Sequence, residues 1–149
     1  MKRNLIAVLS LVVMSLLLNA TGAFAQTYVK ANVPFDFKVG SAQLPAGTYE
    51  IQADDTIPGT VMIRNHQTSA AAMSIAQREY PRGDTTAKLV FHKVGNQYFL
   101  AEIWKGSDAE EMVIPTSRQE KELEKELEKE LQASNTHSGG YEEIVVALN

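Results

Sequence analysis

The chain has no cysteine, and its 149 residues include only three histidines and one tryptophan. Without cysteine there is no disulfide, no thiol nucleophile, no thiolate metal site and no lipid-modified cysteine. The fold must be held by packing alone. The three histidines, His66, His92 and His137, do not include a pair at a ligand spacing such as H-x-x-x-H. Basic residues are outnumbered, 14 Lys and Arg against 18 Asp and Glu, so the Lys and Arg clusters that nucleic acid or an anionic membrane surface rewards are missing. A second long apolar run is also missing, so no membrane span is expected in the mature chain.

What is present begins with an export signal. Lys2 and Arg3 form a basic start, and Leu5 to Leu18 is apolar apart from Ser10 and Ser15. Ala23-Phe24-Ala25 supplies the small-x-small pattern read by signal peptidase. Residues 1–25 are therefore expected to be a cleaved signal peptide, placing the protein in the periplasm or outside the cell. Cleavage leaves 124 residues, one domain with a single core. It removes two positive charges and no negative ones, so a net charge of −4 becomes −6.

Period-2 alternation dominates residues 26–149. In Val33 to Val39 every odd position is apolar, which predicts one half-buried strand with Pro34 at its start or on an edge. Leu44-Pro45-Ala46-Gly47 has the residue order of a type I turn. Tyr49 to Asp54, Val61 to Arg64 and Ala71 to Gln77 predict further strands. The clearest element is a hairpin, Lys88–Val94 and Gln97–Trp104, joined by Gly95-Asn96 in a type II′ turn. That register sets Phe91 opposite Leu100, His92 opposite Phe99 and Leu89 opposite Glu102. It also puts Trp104 on the face of Phe91. Both faces are apolar, which predicts a central, doubly covered pair. Glu111 to Ile114 adds a short strand.

Ser117-Arg118-Gln119-Glu120 has the spacing of a capping box and starts a helix over 117–133. Glu-Lys-Glu-Leu occurs three times from Glu120 to Leu131, so Leu123, Leu127 and Leu131 form a narrow stripe that would lay the helix on the sheet. A coiled coil needs three-four alternation, which is absent. Residues 134–140 read as a polar linker and 141–149 as a terminal strand.

No catalytic, cofactor or metal motif stands out. Ser41, Ser69, Ser74 and Ser107 lack a Gly-x-Ser-x-Gly context. Asp54-Asp55, Glu110-Glu111 and Glu142-Glu143 are adjacent, and neighbours in a strand point to opposite faces. His92 is the one histidine of interest, because it falls in the doubly covered strand, with Glu102 as its candidate carboxylate.

Val33-Pro34-Phe35-Asp36-Phe37, Leu44-Pro45-Ala46-Gly47-Thr48-Tyr49, Lys88 to Gly95 and Tyr98 to Trp104 together resemble a family of short exported bacterial proteins of unknown function. The resemblance runs from the signal to about Trp104, with a charged helix and a C-terminal strand after it, and implies no activity. The Leu44-to-Tyr49 turn is also similar to turns in transthyretin-like and other extracellular β-sandwich modules.

The expected fold is mainly β, an antiparallel sandwich or small barrel of roughly seven to nine strands, with one charged surface helix before a C-terminal strand. The leading function is a non-enzymatic exported domain with an envelope structural or binding role, its partner an unknown envelope protein or small ligand. One alternative is a carrier holding a small apolar ligand in a barrel interior. Another is a hydrolase using His92.

Overall fold

The computed structural model describes residues 28–54, 56–79, 86–106, 111–133 and 140–148. The expected signal peptide, His137, Ser107 and most of the 134–140 linker lie outside these residues. Eleven strands are described: β1 Tyr28–Val33, β2 Phe37–Val39, β3 Ala42–Leu44, β4 Gly47–Ala53, β5 Thr60–Arg64, β6 Ala71–Ile75, β7 Gln77–Glu79, β8 Lys88–Val94, β9 Gln97–Trp104, β10 Glu111–Val113 and β11 Glu142–Ala147. One helix, α1, spans Arg118–Ala133. The smaller sheet has the order β1-β4-β5-β6, and the larger one β11-β8-β9-β10-β7. Strand β2 joins the larger sheet through one parallel pairing, Lys38 with Phe99, and carries β3 as its hairpin partner. Neither sheet closes on itself, so the architecture is a two-layer sandwich and not a barrel.

The inner faces meet in one core. Ala31, Val33, Tyr49, Ile51, Val61 and Ile63 come from the smaller sheet, and Phe37, Leu44, Leu89, Phe91, Leu100 and Ile103 from the larger. Phe37 stands edge-on to both Tyr49 and Phe91, with centroids 5.1 and 5.3 Å apart, the offset geometry that ring quadrupoles favour.

Four expectations are corrected. Val33 to Val39 is not one strand: β1 ends at Val33 and β2 starts at Phe37. Pro34 has no N–H for a ladder, and the Asp36 carboxylate accepts the Ala46 N–H across the corner before β4. With this break and with three-residue strands too short to show a period, the count rises to eleven. The hairpin register holds from Val94–Gln97 to Phe91–Leu100, then slips by one at a bulge between Val90 and Phe91. Leu89 therefore faces Ile103 and not Glu102, and a one-residue slip exchanges faces. Ile103 enters the core, and Trp104 turns to the outer face, where the Lys88 ammonium sits 4.3 Å from its ring.

Other expectations match. Gly95 has φ of +59° and Asn96 does not have positive φ, the pattern of a type II′ turn. The hairpin is central, with β11 beyond β8 and β10 beyond β9. Its outer-face residues Val90, Val94 and Phe99 are buried.

Candidate functional site

A cluster of titratable side chains lies on the outer face of the larger sheet, beside α1. Strand alternation turns Phe91 inward and His92 outward. Ser117 caps the helix as its spacing predicts: its hydroxyl accepts the Glu120 N–H at 3.1 Å, and Glu120 Oε2 accepts the Ser117 N–H at 3.3 Å. The second oxygen of the same carboxylate, Oε1, lies 2.8 Å from His92 Nδ1. One buried carboxylate, 4% exposed, thus closes the capping box and engages the imidazole.

Other groups surround the ring. Tyr141, just before β11, stacks on His92 with centroids 4.0 Å apart at 24°. Glu143 is the cross-strand partner of His92 on β11. Glu124 lies one helical turn after Glu120, and His92, Glu120 and Glu124 each offer a donor atom within 4.8 Å of the others. The Glu120 bond raises the His92 pKa above its ordinary value, against the opposing effect of burial, and the carboxylates of Glu120, Glu124 and Glu143 add to the rise. Glu124 is itself raised, first by burial and then by the Glu120 charge.

Glu102 is not the partner of His92. It sits opposite Val90 and accepts the Trp104 indole N–H at 2.8 Å. Nearby, Glu111 is buried with its pKa raised by desolvation and by the Glu102 and Glu79 carboxylates. His66, exposed after β5, meets Glu50 at 2.6 Å. Ser41 and Ser69 are exposed in turns, and Ser74 lies on β6 with its hydroxyl donating to the Ile75 carbonyl. Asp54 accepts the N–H groups of Thr56 and Ile57, so its carboxylate shapes a turn.

Sequence reasoning singled out His92 and, through the capping box, Glu120. The signal for their meeting was not local, because it depends on where the helix crosses β8. The spacing of Glu120 and Glu124, four apart on one helix face, was the available clue.

A second feature is the open edge of the smaller sheet. Among the described residues β6 pairs only with β5, and it exposes Met73 by 52% and Ile75 by 70%. Ile57, in the β4–β5 connection, is also half-exposed. No helix among the described residues is long and apolar enough to cross a membrane. Comparison with protein families, with curated proteins and with solved structures finds no match to this chain.

Proposed function

We propose that this protein is a non-enzymatic exported domain that acts in the cell envelope by holding a partner protein. The observation that carries the reading is the β6 edge, where Met73 and Ile75 lie exposed on a strand that ends its sheet among the described residues. An extended segment of a partner adds to such an edge by main-chain hydrogen bonds, and side chains of alternate residues supply selectivity. Large apolar groups on an edge strand also invite unwanted pairing, a liability that a bound partner strand covers. The signal-like start and the resemblance to short exported bacterial proteins support the compartment. The carrier alternative loses its barrel, because the sheets stay open and aromatic side chains occupy the space between them.

The test is capture from an envelope extract with purified residues 26–149, followed by mass spectrometry. A partner retained by the wild type and lost with Ile75→Lys is the expected result. Capture indifferent to Ile75→Lys, or no capture at all, overturns the reading. N-terminal sequencing of the chain recovered outside the cytoplasm should begin at Gln26, and an intact Met1 contradicts export by cleavage.

A further inference from the structure

We propose that His92, Glu120 and Glu124 form a binding site for one divalent cation of the zinc class, which clamps α1 onto the larger sheet. The donors come from two elements. His92 projects from the outer face of β8, and Glu120 and Glu124 face it from consecutive turns of α1. Their donor atoms lie within 4.8 Å of one another. Around a tetrahedral zinc ion with bonds of 2.0–2.1 Å, donor atoms stand about 3.3 Å apart. A small opening of the 2.8 Å His92–Glu120 contact and a swing of Glu124 satisfy that spacing, with water completing the shell.

The charge balance at the site argues for an ion. An imidazole–carboxylate pair is complete with one carboxylate. Here Glu120 and Glu124 converge on the same ring, and Glu143 faces it from β11. The opposing positive influences on Glu124 are His92 and Lys121. A divalent cation offsets that excess of negative charge, and the imidazole donor favours zinc over the oxygen-seeking calcium and magnesium. The surroundings orient the donors as metal sites require. The Ser117 N–H holds Glu120 Oε2, and the Tyr141 ring fixes the imidazole plane. Binding through Nδ1 needs that nitrogen unprotonated, so ion uptake displaces its proton to solvent.

The experiment uses residues 26–149, stripped with EDTA and dialysed, and titrated with ZnCl2 by calorimetry at pH 7. The expected result is one equivalent per chain, and a rise of several degrees in Tm once zinc exceeds its Kd about 100-fold. MgCl2 and CaCl2 at the same concentrations should give neither. Glu124→Gln is the decisive variant, because Glu124 stands outside the capping box and the His92–Glu120 hydrogen bond that hold the site without metal. It should leave the metal-free protein folded, with a Tm no lower than wild type because it removes a carboxylate opposed by burial and by Glu120, and should weaken zinc binding at least 10-fold. Glu50→Gln, at the His66 pair, should leave binding intact. No heat of binding at 100 μM zinc overturns the proposal. So does binding that survives Glu124→Gln, binding that is lost instead with Glu50→Gln, or a preference for calcium.

Discussion

Gly47 lies against the buried side chain of Asn65, so closely that a β-carbon at position 47 would sit 2.6 Å from Asn65 Nδ2. Asn65 cannot retreat freely. It is 1% exposed, and its Oδ1 accepts the N–H groups of Gln67 and Thr68, which shapes the β5–β6 loop. The first residue of β4 and the end of β5 are therefore fitted to each other. Gly47→Ala should destabilise the protein by about 1–3 kcal/mol, the usual cost of forcing extra volume into a packed site. Urea unfolding monitored by circular dichroism measures it, and a change under about 0.5 kcal/mol, typical of a free surface site, contradicts the fit.

Phe91 and Trp104 should separate clearly in stability. Phe91 is fully buried and packs against Phe35 and Phe37, so Phe91→Ala should cost about 3–5 kcal/mol. Trp104 lies on the outer face against Lys88, and Trp104→Ala should cost about 1 kcal/mol, the scale of a cation–π contact with its accompanying packing. Equal costs in the same unfolding assay would place both rings in one core.

The pH dependence of Glu111 follows from its neighbours. Burial, Glu102 and Glu79 raise its pKa in the folded state. A carboxyl raised on folding favours the folded state when protonated. That contribution is complete below the unfolded pKa, about 4.3, and is lost as pH rises through the folded value. At pH 7 the ionised group is therefore a liability. Glu111→Gln should raise Tm by about 1–3 °C at pH 7, from relief of opposed like charges worth about 0.5 kcal/mol. Near pH 3.5 the difference should vanish. A variant less stable than wild type at pH 7 contradicts this account.

Deleting Glu124 to Leu127 removes one repeat unit and moves Glu128 into the place of Glu124, because the next unit has the same sequence. The helix shortens by about 6 Å, yet a carboxylate still lies one turn after Glu120. The deletion should leave the β sandwich folded, with a Tm within a few degrees of wild type, and should keep zinc binding. Loss of folding would make the length of α1 integral to the core. Folding with loss of zinc binding would show that Glu128 fails to replace Glu124.

The legible parts of this fold are those with a local cause. Gly95 before Asn96 specifies the hairpin turn, and the Ser117–Glu120 spacing specifies where α1 begins. The bulge is different. Both faces of Lys88 to Trp104 are apolar, so no pattern in residues 88–104 marks Val90–Phe91 as the place where one residue is skipped. Pairing with β10 requires Ile103 inside opposite Met112, a constraint set by a strand beyond the hairpin. The Gly40-Ser41 hairpin follows the Val33–Val39 run directly, and its flanking strands β2 and β3, three residues each, are too short to show a period. At the site, the capping box announced Glu120, whereas its second contact is made by His92, 28 positions away in sequence, and only the docking of α1 beside β8 brings them together.

Strand β11 gives the fold an order of assembly. It pairs with β8 from Lys88 to Lys93, and Leu148 beyond it bridges to Ala31 of β1. Both sheets are thus joined by a segment that a ribosome makes after every strand it touches. Until β11 is delivered, β8 offers a bare row of N–H and C=O groups, a template on which a neighbouring chain can pair. The C-terminal strand therefore acts as a guard for the nascent domain.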